Sequence, residues 1–119
     1  MKAPEHFDDT TTRHFNFVVE QLKRIEKLDN AYQPIIEGLA FNLTEVETCQ
    51  KILLNEGFVM DGLHGKKEHP AVAIVKKAQS KVIESYKILG LDASQRFKEE
   101  QAKPEDLSND PLLKVLGRV

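Results

Sequence analysis

Few residues in this chain could carry chemistry. His64 and His69 lie five apart with Asp61 just before them, and these are donor types that a divalent metal accepts. The stretch offers no clear third and fourth strong ligand, so both histidines read as surface residues. His69 then reads as the residue ahead of a helix opened by Pro70. The run Gly62-Leu63-His64-Gly65-Lys66-Lys67 is superficially a phosphate loop. It lacks both the four-residue gap between glycines and the hydroxyl residue after the lysine, which excludes nucleotide binding of that kind. The single cysteine, Cys49, rules out an internal disulfide framework and a cysteine-based zinc site. No base or helix N-terminus lies near it in sequence, so it reads as a small packed hydrophobe. Glu45, Glu47 and Glu56 occupy exposed-type positions on a predicted helix, where solvated charge is the default. There is no nucleophile elbow, zincin motif or calcium loop. The chain reads as a non-enzyme that needs no cofactor and no metal.

Cations are the remaining chemistry. The formal net charge of −2 over 119 residues hides an asymmetry. Residues 1–62 hold 6 Lys+Arg against 11 Asp+Glu, residues 63–98 hold 8 against 3, and residues 99–119 hold 3 against 5. A basic middle between acidic flanks can hold a polyanion while the whole chain stays near neutral. The same blocks could instead pair with each other, within or between protomers. Lys66 and Lys67 precede the helix opened by Pro70, Lys76, Lys77, Lys81 and Lys87 lie along it, and Arg96 follows it. The helical lysines fall on one broad face about 16 Å long at ~1.5 Å per residue, long enough to track several phosphates of a duplex.

The elements that position these residues follow from period and punctuation. Residues 1–9 read as a loose arm with no apolar period. Thr10 to Thr12 offer capping hydroxyls, and Phe15, Val18, Val19, Leu22 and Ile25 form one stripe, predicting a helix from about Thr11 to Leu28. A second helix starts between Asn30 and Gln33 with Pro34 in its first turn, follows the stripe Tyr32, Ile36, Leu39, Leu43, Val46 and Leu53, and ends at Gly57. The short connection makes the two helices an antiparallel hairpin. Ile35, Phe41, Ile52 and Leu54 lie off the stripe and predict a second packing surface, such as another protomer.

Phe58 to Met60 reads as extended, Asp61-Gly62 as a turn, Gly65 as a second bend, and Lys66 to Glu68 as a possible return strand. A third helix runs from Pro70 to about Leu89 with Val75, Ala78, Val82, Tyr86 and Leu89 in its stripe, and Gly90 closes it. The fold class is therefore mainly α: an antiparallel helical hairpin plus a third long helix, with a short β-ribbon or extended loop between helices two and three. The helical core spans 10–98. A linker and a C-terminal segment occupy 99–119, where Leu112, Leu113, Val115 and Leu116 read either as a docking peptide or as a segment folding back on its own domain. No run approaches the ~20 apolar residues of a membrane span and the N-terminus has no signal-peptide core, so a cytoplasmic protein is expected.

The stretch 30–97 resembles the small subunit of phage terminases, the DNA-packaging machinery of tailed phages. The likeness rests on the helix end Leu53-Leu54-Asn55-Glu56-Gly57-Phe58-Val59, the glycine-bearing turn, His69-Pro70-Ala71, Ala78, and the close Leu89-Gly90-Leu91-Asp92-Ala93-Ser94-Gln95-Arg96. It implies a non-catalytic packaging protein of the host cell cytoplasm. Such a protein assembles as a homo-oligomeric ring, binds double-stranded phage DNA at the packaging-initiation region and regulates the large subunit that carries ATPase and nuclease. DNA would then be held by Lys66, Lys67, Lys76, Lys77, Lys81, Lys87 and Arg96, and the large subunit by Leu112, Leu113, Val115 and Leu116. The competing reading is a small oligomeric helical interaction or transcription-regulatory protein with no packaging role.

Overall fold

A computed structural model describes residues 1–93 of the chain. Arg96, the linker and the Leu112–Leu116 segment lie outside the described residues. Three α-helices and one hairpin appear in the order α1 (Asp9–Arg24), α2 (Gln33–Glu56), β1 (Val59–Gly62), β2 (Gly65–Glu68) and α3 (Pro70–Leu89), with a 3-10 turn (Asn30–Tyr32) leading into α2. This is the mainly helical architecture that the periodicity predicts.

Helix α1 starts two residues earlier and stops four residues sooner than expected. Asp8, not a threonine, is its N-cap: the carboxylate accepts the Thr11 N–H at 2.8 Å. Thr11 instead turns inward, where its hydroxyl meets that of Thr44 at 2.8 Å. Thr44 donates to the Ala40 carbonyl at 3.1 Å, so its single proton is used and Thr11 is the donor of the pair. At the far end the Lys27 N–H reaches the Leu22 carbonyl at 2.9 Å and the Glu26 N–H reaches that of Lys23 at 3.1 Å. These two bonds close the last turn with Glu26 at φ +57. The apolar period continues through Ile25 and Leu28, but the backbone reverses at a residue whose type does not announce it.

Helix α2 is the spine. Eight residues (25–32) bring the chain back antiparallel to α1, so Thr11 and His14 near the start of α1 meet Thr44 and Glu47 in the middle of α2. One apolar cluster joins Phe15, Val18, Val19 and Leu22 of α1 to Ile36, Leu39 and Ala40 of α2 and to Leu89 at the end of α3. A second joins Cys49 and Leu53 of α2 to Ala71, Val72 and Val75 at the start of α3. Helix α3 therefore also runs antiparallel to α2, along its whole length, while α1 stops short of the last turns of α2. Phe15, Leu22, Ile36 and Leu39 are fully buried, each contributing roughly 1.5–3 kcal/mol of transfer free energy. The stretch 1–9 is expected as a loose arm, but Asp9 already begins α1 and residues 1–8 lay Met1, Ala3 and Phe7 against the first cluster, with the Phe7 ring edge-on to Phe15 at 6.3 Å. Cys49 is buried within the second cluster, as a packed hydrophobe. Among the described residues no buried side-chain nitrogen or oxygen lacks a partner.

Candidate nucleic-acid interface

Gly57 ends α2 at φ +89, with its N–H on the Leu53 carbonyl at 2.7 Å. From there the chain enters the ribbon. The strands pair antiparallel with Val59 opposite Glu68, Met60 opposite Lys67, Asp61 opposite Lys66 and Gly62 opposite Gly65. The apex is thus Leu63-His64, and Asp61-Gly62, expected as the turn, belongs to β1. Gly65 takes the positive φ, +113, that closes the loop. Gly62 serves another purpose: a Cβ there would lie 3.1 Å from both the Gly65 carbonyl oxygen and Cδ of Lys67. The Lys67 stem lies across Gly62, on the face of the ribbon opposite Lys66. Lys66 pairs across the ribbon with Asp61.

The ribbon is small and its strands are mostly exposed, so something must fix its direction. His69 does this with three bonds. Its backbone N–H donates to the Phe58 carbonyl at 2.9 Å, closing the base of the ribbon. Its Nδ1 accepts the Ala71 N–H at 3.0 Å and so caps α3. Its Nε2 lies 3.2 Å from the Glu56 carboxylate at the end of α2. An Nδ1 that accepts carries no proton, so Nε2 is the protonated nitrogen and donates to Glu56. One residue joins the end of α2, the ribbon and the start of α3. The expectation of a surface histidine ahead of a helix undersells this position. Its side chain is only 12% exposed.

Between the ribbon and α3 lies an open groove of about 590 Å³. Leu53, Phe58, Val59, Val72 and Val75 give it an apolar floor, and Lys66, Glu68 and Lys76 line it with charge. The fold thus brings Lys66 and Lys76 to one groove, while Lys67, next to Lys66 in β2, turns its side chain to the opposite face of the ribbon, over Gly62. It does not bring all of them together. At 100° per residue, Lys76 and Lys87 fall on the flank of α3 toward Ile83, and Lys77 and Lys81 fall roughly 100° away with Ile74 and Ile88. Among the described residues Lys67, Lys76, Lys77 and Lys87 have no ion-pair partner, and Lys81 has only Glu84 at 4.0 Å. Arg96 lies outside the described residues.

A second polar cluster spans α1 and α2. Glu47 takes Arg13 at 3.2 Å, His14 at 2.9 Å and Lys51 at 3.5 Å. The His14 hydrogen bond, with the nearby Lys51 and Arg13 charges, holds the Glu47 carboxyl below the usual range, against a partial desolvation. Sequence reasoning places Glu47 on a solvated face; helix spacing alone shows Lys51 at i+4 but not that α1 sets Arg13 and His14 beside it. Among the described residues no three His, Cys, Asp or Glu side chains gather as a metal site requires. None of the helices described is long and apolar enough to cross a membrane.

Comparisons with curated proteins and with solved structures give no significant match. The sequence profile of the family described as phage terminase, small subunit, matches residues 12–106, which takes in α1 from its fourth residue on, α2, the ribbon and α3. That match covers most of the 119 residues, and the chain belongs to the phage terminase small-subunit family.

Proposed function

We propose that this phage packaging protein binds duplex DNA of the phage genome, at the region where packaging starts, as a homo-oligomeric ring, and that it regulates the large terminase subunit without catalysing a step itself. The observation that carries the DNA reading is the density of exposed lysines at this end of the fold: Lys66 and Lys76 at one groove, Lys67 on the other face of the ribbon, and Lys77, Lys81 and Lys87 exposed along α3. Phosphate contacts of this kind position a duplex; they do not read its sequence. Arg96 extends the set beyond the described residues. A ring multiplies a weak contact per protomer into avidity.

Support for assembly comes from apolar side chains that stand exposed among the described residues. Phe41 is 61% exposed and Leu54 80% exposed on α2, and Ile74, Ile83 and Ile88 are exposed on α3. Such a set exceeds what scattered surface hydrophobes require. Leu112, Leu113, Val115 and Leu116 form the segment available for the large subunit, and the host cytoplasm is the compartment in which these partners meet. A mobility-shift titration of the full chain with duplex DNA tests the binding site. Lys76→Ala, Lys77→Ala and Lys81→Ala together should weaken binding while the helical circular dichroism stays unchanged. Unchanged affinity refutes the assignment.

A further inference from the structure

Ile74, Lys81 and Ile88 lie seven residues apart on a flank of α3 that does not line the groove. Seven residues are nearly two helical turns, so the three form one stripe with about 10.5 Å between successive members. Both isoleucines are exposed. Helix α2 carries a stripe of the same spacing, Gly38, Glu45 and Ile52, with the exposed Phe41 beside it. Ile52 is only partly buried. Gly38 is exposed inside the helix, and a Cβ there would meet no atom within 4 Å. Nothing among the described residues calls for a glycine, which weakens a helix interior, so the open space suits a side chain brought by another molecule. Glu45 has no ion-pair partner among the described residues, and Lys81 has only Glu84 at 4.0 Å.

We infer that the α2 stripe of one copy docks on the α3 stripe of a second copy of this chain, with the two helices antiparallel. Equal spacing sets the register: Ile52 meets Ile74 of the second copy, Glu45 meets its Lys81, and Gly38 leaves room for its Ile88. Charge complementarity selects this pairing. Laying the α2 stripe antiparallel on another α2 opposes Glu45 to Glu45, and α3 on α3 opposes Lys81 to Lys81. Like charges set directly against each other disfavour both. Each copy offers both stripes, so the contact can repeat from copy to copy. The inference rests on the assembly reading and names the surface it uses. It assigns Lys81 to the contact between copies and leaves Lys66 and Lys76, at the groove, to face the DNA.

The test measures the mass of the full chain and its variants by light scattering at one concentration, with circular dichroism as the check on folding. Glu45→Lys and Lys81→Glu each set like charges face to face. Each should lower the mass, weakening the contact by on the order of tenfold or more. Both changes in one chain restore opposite charges and should return the mass to the wild-type value. A single variant that keeps the wild-type mass, or a double variant as small as the singles, overturns the inference while the assembly reading stands. A wild-type chain that is monomeric overturns both. Should a charge variant lose its helical signal, Gly38→Leu decides: leucine favours the helix and fills the open space, so the mass should fall with the helix intact, and an unchanged mass overturns the inference.

Discussion

Replacing His69 with alanine removes two of the three bonds that set the ribbon against α3. The backbone bond to Phe58 survives, because it uses the His69 N–H. The Nδ1 cap on Ala71 N–H is lost, and loss of an N-cap destabilises by about 1 kcal/mol. The Nε2 contact to Glu56 is lost as well. Glu56 is 55% exposed, so this adds at most about 0.5 kcal/mol after solvent screening. The expected loss for His69→Ala is about 1–1.5 kcal/mol. His69→Asn keeps a capping oxygen and gives up only the Glu56 contact, so it should lose about 0.5 kcal/mol or less. Thermal unfolding at one protein concentration resolves the two, since ~1 kcal/mol moves the midpoint of a domain this size by roughly 4–8 °C. Because the latch also fixes the ribbon that carries Lys66 and Lys67 against α3 and Lys76, His69→Ala should weaken DNA binding more than His69→Asn. If alanine and asparagine are equally destabilising, or alanine is neutral, the side chain is not the latch described.

Two further outcomes follow from the geometry. Glu26 holds φ +57, a region that disfavours a side chain by about 1–2 kcal/mol; Glu26→Gly should stabilise by roughly 0.5–1 kcal/mol after the extra unfolded-state entropy of glycine, and a loss in denaturant midpoint would show that Glu26 makes contacts beyond its backbone role. The Glu47 carboxyl sits below its usual range because of His14 first, then Lys51 and Arg13. Its contribution is therefore present above the unfolded carboxylate value and is lost as pH falls through the lower folded value, so Glu47→Gln should flatten the acid limb of stability against pH and leave the limb above pH 7 unchanged.

Much of this fold is legible in the residues. Pro34 and Gly57 bracket α2, and Pro70 and Gly90 bracket α3, because each residue type fixes the backbone where it stands. The stripe of α3 names the side chains that pack on α2, and Cys49, with no activating group near it in sequence, is the packed hydrophobe its chemistry suggests. What escaped the sequence depends on partners distant along the chain. Thr11 looked like a cap and is a buried donor, because Thr44 waits for it thirty-three residues on. Glu26 reverses the chain in a conformation glutamate disfavours, held by two backbone bonds rather than by its type. The turn moved from Asp61-Gly62 to Leu63-His64 because the strand register, set at Phe58 and His69, leaves Gly62 in β1 under Lys67. The sequence puts the helical lysines on one broad face; the 100° step separates Lys76 and Lys87 from Lys77 and Lys81, and the ribbon then sets Lys76 beside Lys66 while Lys67 turns to its other face.

The most direct test of the DNA reading is the salt dependence of duplex binding by the full chain, compared with Lys67→Ala, Lys76→Ala. Each phosphate contact contributes about 0.9 to the slope of log K against log salt. The wild-type chain should show a steep slope, and the double variant a slope shallower by about 2 for each protomer engaged. A wild-type slope near zero, or a double variant with an undiminished slope, would contradict the claim that these lysines hold the phage genome.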